Sequence, residues 1–332
     1  MIEKNFLFLK TSSLGDIIHT LPSALYLKEK MPTSHLAWVV EEEYASMLDY
    51  FPQIDAVIGV PWRSFRKGKA SWKDVYESLR FLRQGMYDVS FDFQGNTKSG
   101  VLHSLANSKR KVGFLEPAEF LNRLTCTEKF RVDTKQIQYK YLSLLCQGMN
   151  WKEPENIPSF MRTPSKDARL LIAPFSHWDS KMVPFSQFEE ALSFPYDVIC
   201  GSKEEHAQLE GFFSGAQNVY VKPTFSEWIT ITKKAAGVVG VDSAQLHLAA
   251  LCGTPTFGLF GPSNPSMYSP MGSKHTSIQG ECPLEVSFES RCPHLRTCSN
   301  KGCIKAMPPF KGRLDEWISE IKEQIVQPAY QS

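Results

Sequence analysis

Short apolar runs of four or five residues recur along the chain. Between them lie longer stretches in which apolar side chains return every three or four positions. In the first half, residues 5–9, 36–40, 56–60 and 89–93 have the length and aliphatic or aromatic character of strands buried on both faces. Residues 17–30, 45–50 and 72–83 carry helical spacing, and 95–106 and 135–148 continue the pattern. Residues 152–166 contain Pro154, Pro158 and Pro164, have neither period, and read as a linker. The alternation then restarts, with strands predicted over 170–174, 196–200, 219–221, 237–241 and 256–260. Helices are predicted over 185–192, 204–213, 225–235 and 244–252. An amphipathic helix over 309–327 closes the chain, with Leu314, Trp317, Ile318 and Ile321 on one face.

Strands alternating with helices predict an α/β protein whose parallel sheets are wrapped by helices. At 332 residues the chain suits two Rossmann-like, doubly wound domains, expected at 1–155 and 156–332. Such sheets bind ligands beyond the carboxyl ends of their strands, so both ends are expected to face one central cleft. A formal charge of +2 excludes a general nucleic-acid binder and leaves any anionic partner to local patches. No apolar run approaches the 18–20 residues of a membrane span, and the apolar block at the start is short for a signal peptide. A cytoplasmic protein is expected.

Candidate chemistry gathers in the loops that follow predicted strands. After the first comes Lys10-Thr11-Ser12-Ser13-Leu14-Gly15-Asp16, small and polar, opening a helix. It is neither a dinucleotide G-x-G-x-x-G nor a P-loop. Asp16 either caps that helix or serves as a base facing the ligand. In the second half, Val241 runs into Asp242-Ser243-Ala244, with His247 on the next turn. Asp242 and His247 are a cap and a packed side chain, or else part of a diphosphate site built on the helix N-terminus. The loop Ser176-His177-Trp178-Asp179-Ser180-Lys181 offers hydroxyls and a cation, and Glu204 and Glu205 offer helix caps or acceptors for a sugar.

Two further clusters stand apart. Arg63, Arg66, Lys67, Lys69 and Lys73 are interleaved with Trp62, Phe65 and Trp72, and Lys109-Arg110-Lys111 forms a second basic run. These are solvated loops, or else sites for phosphate and carboxylate groups or an anionic membrane surface. Cys282, Cys292, Cys298 and Cys303 are numerous enough for a zinc site but lack paired C-x2-C knuckles. A loop of free or partly paired thiols is the alternative.

The opening motif Lys10–Pro22, the segments Trp38–Glu42 and Asp92–Ser99, and the stretch Asp242–Pro265 together resemble glycosyltransferase family 9, the bacterial lipopolysaccharide heptosyltransferases. The two middle segments look most like the heptosyltransferase I branch, which adds the first heptose to Kdo-bearing lipid A. The resemblance implies the GT-B fold and an inverting transfer from ADP-heptose, with Asp16 as general base. It implies donor contacts at Ser176, His177, Lys181, Glu204, Glu205, Asp242, Ser243, Ala244 and His247. It implies acceptor contacts at Ser13, Gly15, Arg63, Arg66, Lys67, Gln94 and Lys98, and peripheral contact with the cytoplasmic leaflet of the inner membrane. No cofactor or metal is expected, since Lys181 and the backbone amides can meet the diphosphate charge. Ala244 stands where the family has glycine, His177 where it has a second hydroxyl residue, and Val183 where it has tryptophan; all three are expected in the donor pocket. Alternatives are a relative using another nucleotide sugar or a later core acceptor, an impaired sugar-nucleotide binder, and a nicotinamide-dependent oxidoreductase, which the absent glycine fingerprint disfavours.

Overall fold

The computed structural model describes residues 4–160, 169–272, 274–298, 304 and 306–326. Contacts divide the chain into two compact units, residues 1–158 and 159–332, a few residues beyond the expected 155/156 boundary. Residues 161–166 of the expected linker lie outside the described residues, as do Cys303 and Gln327.

The first unit runs β1 (Asn5–Leu9), α1 (Leu14–Lys30), β2 (His35–Glu41), α2 (Glu42–Leu48), β3 (Ala56–Val60), α3 (Trp62–Arg66), α4 (Trp72–Gln84), β4 (Met86–Asp92), α5 (Thr97–Leu105), β5 (Asn107–Phe114), β6 (Glu128–Phe130) and α6 (Ile137–Met149), with a 3-10 turn at Phe120–Thr125. Its six parallel strands lie in the order β3-β2-β1-β4-β5-β6. The central strand β1 is covered on both faces, and Phe6 through Leu9 are fully buried. That is why it reads as an unbroken apolar run.

The second unit runs β7 (Leu170–Ala173), α7 (Phe185–Ala191), β8 (Tyr196–Cys200), α8 (Lys203–Ala207), β9 (Val219–Val221), α9 (Phe225–Lys234), β10 (Gly237–Val241), α10 (Ala244–Leu251), β11 (Thr256–Phe260), α11 (Pro265–Tyr268), β12 (His275–Gln279) and α12 (Lys311–Val326), with a 3-10 turn at Asp179–Lys181. Its strand order is β12-β11-β10-β7-β8-β9, again all parallel. Counted from the start of each unit, both sheets follow the order 3-2-1-4-5-6. Each therefore has a switch point between its first and fourth strands, where a crevice opens beyond the strand ends. Helix α12 buries Leu314, Trp317, Ile318 and Ile321 in the core of the second unit.

Several expectations change. Residues 62–66 of the basic stretch form α3 rather than a loop. Lys109-Arg110-Lys111 lies in β5 and is not a free basic patch. Lys109 pairs with Asp88 at 2.7 Å, and Arg110 binds both oxygens of Glu128 at 2.6 and 2.7 Å. Lys111 donates to the Ser104 carbonyl at 2.8 Å. Val183 does not line a pocket: it is 2% exposed and packed in the core of the second unit. An apolar side chain between the 3-10 turn and α7 is stabilised by burial there.

Candidate active site

In each unit part of the predicted set falls at the switch point, while Arg63, Arg66 and Lys67 follow the edge strand β3, and Glu204 and Glu205 follow β8. In the first unit, the loop from β1 to α1 sits beside the loop from β4 to α5, since Leu9 pairs with Asp92. Ser13 is the N-cap of α1, and Asp16 is its third helical residue rather than the cap. Asp16 reaches back, accepting from the Ser13 amide at 3.1 Å and the Ser13 hydroxyl at 2.7 Å. Burial works to raise its pKa, but the Lys10 ammonium, the Ser13 hydroxyl, His19 and the Ser13 amide together hold it at about 2. Asp16 is therefore ionised at neutral pH and only half-buried.

Lys10 is the residue that sequence reasoning undervalued. It is 3% exposed, donates to the Tyr141 hydroxyl at 2.8 Å and the Phe93 carbonyl at 3.3 Å, and lies 4.6 Å from the centre of the Tyr141 ring. The available signal was a lysine directly at the carboxyl end of an apolar strand. Gln94 uses its carbonyl oxygen on the amides of Thr11 and Ser12, at 3.2 and 3.3 Å. Gly15 lies in the first turn of α1, and Lys98 is exposed in the first turn of α5. Arg66 and Lys67 are exposed at the end of α3. Arg63 is engaged locally: its guanidinium binds Glu43 and, at 2.9 Å, the Tyr44 hydroxyl.

In the second unit, β7 and β10 are neighbours, so their loops meet. Lys181, 8% exposed, donates to Asp242 Oδ2 at 2.5 Å. His247 Nε2 donates to Asp242 Oδ1 at 3.1 Å, which fixes the proton on that nitrogen. Burial opposes the Asp242 charge. The His247 hydrogen bond and the Lys181 ammonium outweigh it and hold the carboxyl far below the usual carboxylate range. Asp242 thus positions a lysine and a histidine, with one bond to each of its carboxylate oxygens.

Directly after it, Ser243 is the N-cap of α10, and its buried hydroxyl has no hydrogen-bond partner in the protein. Ala244 is the first residue of that helix. Ser176 donates to the Asp242 carbonyl at 3.4 Å, while His177 is exposed and packs edge-on against Trp178. Glu205 turns back on the Gly201 amide at 2.6 Å, and Glu204 is exposed beside it. A helix N-terminus carrying an unspent hydroxyl beside a buried lysine is chemically suited to an anionic group such as a phosphate.

The segment 289–298 straps the loops after β7 and β11 together. Ser180 donates to the Leu295 carbonyl at 3.1 Å, and the Arg296 guanidinium lies 5.1 Å from the centre of the Trp178 ring. Asn264 donates from its amide and side chain to the Ser290 and Glu289 carbonyls at 2.8 and 2.7 Å. The Cys292 amide donates to the Pro262 carbonyl at 2.8 Å. Cys282, Cys292 and Cys298 are partly exposed free thiols. Among the described residues, no group of three His, Cys, Asp or Glu side chains is arranged to hold a metal ion.

The family model described as glycosyltransferase family 9 (heptosyltransferase) matches residues 75–296, about two thirds of the sequence, including every site element of the second unit. The chain belongs to glycosyltransferase family 9. It is 27% identical over 321 residues to lipopolysaccharide heptosyltransferase 1 of Pseudomonas aeruginosa, covering 88% of each chain. The solved structure of the E. coli heptosyltransferase WaaC with ADP superposes with a TM-score of 0.76 at 22% identity, over 96% of this chain and 99% of that one. WaaC with ADP-2-deoxy-2-fluoro heptose gives the same score over 95% and 99%. The family 9 fold is therefore GT-B, and the protein is a glycosyltransferase of the heptosyltransferase family.

Proposed function

We propose that this family 9 enzyme transfers heptose from ADP-heptose to the Kdo-bearing inner core of lipopolysaccharide, with inversion at the anomeric carbon. The observation that carries the reading is the N-terminus of α10. There the unpartnered Ser243 hydroxyl and the Lys181–Asp242–His247 cluster provide a built site for a sugar-nucleotide diphosphate. The heptosyltransferase names of its relatives, and the ADP and fluoro-heptose bound to WaaC, supply the donor class.

In this reading the acceptor hydroxyl attacks the anomeric carbon while Asp16 takes its proton. The bond from that carbon to the diphosphate oxygen breaks, and ADP leaves as an anion. Ser243, Ser176, the first amides of α10 and Lys181 stabilise the leaving diphosphate as charge builds on it. His247 acts through Asp242. The first unit receives the acceptor along Ser13, Gly15, Lys98 and the basic stretch at Arg66 and Lys67. Reaction at the cytoplasmic leaflet is supported by Trp72 and Tyr76, which are 73% and 66% exposed beside Lys69 and Lys73.

The test is ADP release from ADP-heptose with Kdo-lipid A, comparing wild type with Asp16→Ala. Acceptor-dependent release that falls about 100-fold or more in the variant is expected. An equally active variant would reduce Asp16 to a helix cap. A wild type that releases nothing would overturn the donor assignment.

A further inference from the structure

We infer that Gln94 is a positioning residue for Asp16, and that the buried carboxylate of Asp92 anchors it. The inference rests on the reading of Asp16 as the base and assigns Gln94 to the enzyme's own loop rather than to the acceptor.

Asp92 ends β4 and is fully buried. Four donors surround its carboxylate. The amides of Gln94 and Gly95 reach Oδ1 at 2.9 and 3.0 Å, while the Ser99 hydroxyl and the Asn122 side-chain amide reach Oδ2 at 2.8 and 2.6 Å. These donors come from the β4–α5 turn, from α5 and from the 3-10 turn that packs on α5. That turn approaches Gly100 closely: a Cβ there would lie 3.1 Å from the Asn122 side-chain nitrogen and 3.3 Å from the Asn122 Cα. Gly95, at φ +70°, lets the chain reverse so that both amides point at one oxygen.

The backbone of Gln94 is therefore fixed, and its side chain is the part that crosses to the neighbouring loop. Its carbonyl oxygen holds the amides of Thr11 and Ser12. Ser13 follows, giving both its amide and its hydroxyl to Asp16. A continuous run of hydrogen bonds thus leads from Asn122 through Asp92 and Gln94 to the segment that sets the direction of the Asp16 carboxylate. Thr11 and Ser12 precede α1, so their amides have no turn of that helix to satisfy them, and Gln94 supplies what the helix cannot.

Gln94→Ala removes the clamp, whereas Gln94→Glu keeps an oxygen that can accept from both amides. A misplaced base lowers turnover without weakening substrate binding. Gln94→Ala is therefore expected to lower kcat about 10- to 100-fold with both KM values within about twofold of wild type. Gln94→Glu should restore most of that loss. Hydrogen exchange in the peptide covering residues 10–16 should speed up in Gln94→Ala and return toward wild type in Gln94→Glu. In an Asp16→Ala background, Gln94→Ala should cost less than about a further twofold, because both changes act on one group.

A rise in acceptor KM with kcat unchanged, made worse by the negative charge of Gln94→Glu, would overturn the inference and make Gln94 a substrate contact. Unchanged exchange over residues 10–16 would also overturn it. If Asp16→Ala alone leaves kcat untouched, the base assignment is what has failed. The exchange measurement then still decides whether Gln94 sets the loop.

Discussion

Asp16 combines half-burial with an unusually low pKa, and the two have separate consequences. Its pKa of about 2 lies below the ordinary value of 3.8. The stability it contributes is therefore complete above about pH 4 and is lost as the pH falls toward 2. Through the neutral range it is already ionised, so kcat/KM should show no acid limb from Asp16 between pH 5 and 8. A limb near pH 6 would count against Asp16 as the group whose ionisation limits the reaction. Lys181 makes a different prediction. Lys181→Met leaves the buried Asp242 carboxylate with His247 alone and should destabilise the protein by about 3–5 kcal/mol in chemical denaturation. A loss under about 1 kcal/mol would mean that solvent reaches the pair. The sequence announced that Asp16, Lys181 and His247 sat in strand-end loops or in the first turns of the helices that follow them, because those positions follow from the hydrophobic pattern. It did not announce that Asp242 would be consumed by Lys181, 61 residues away, or that Asp92 would gather donors from three elements. Long-range pairing leaves no local period to read.

At the scale of elements, strands buried on both faces were the most legible, because continuous apolar runs are what a covered parallel sheet requires. β5 was hidden for the converse reason. Its first half is Asn107-Ser108-Lys109-Arg110-Lys111, a polar run whose charges find partners on β4, β6 and α5 or beside them. The three-residue β6 and the outer strand β12 are too short or too exposed to carry a pattern. Close contacts between elements were equally invisible. A Cβ on Gly240 would stand 2.8 Å from the Ala173 carbonyl oxygen on the adjacent strand. Gly240→Ala should therefore cost about 1–3 kcal/mol of stability through forced separation of β7 and β10. Thermal melting compared with a distant alanine substitution would check it, and an unchanged midpoint would show that the strands part freely.

Over the whole molecule, both units use one strand order although the sequence shows no internal repeat. Topology is set by which faces are buried and by right-handed crossovers, and neither demands similar residues. Among the described residues, no helix is long and apolar enough to cross a membrane. Residues 62–84 nevertheless carry seven Lys and Arg against two acids. The proposed reaction at a lipid surface thus predicts salt-sensitive co-sedimentation with vesicles containing phosphatidylglycerol. Combined Lys69→Glu and Lys73→Glu changes should weaken it tenfold or more, at about 1 kcal/mol per basic residue. Vesicles that fail to retain the wild type would leave the basic stretch to the acceptor head group alone.

The strap of residues 289–298 also bears on how donor preference can be re-engineered. Transplanting only residues 174–181 from a relative would sever the bond from Ser180 to Leu295 and unseat Arg296 from Trp178. Because the same strap grips Pro262 and Asn264, the damage would spread to the neighbouring loop. A chimaera meant to alter the proposed donor site must therefore exchange all three segments together, as one cassette.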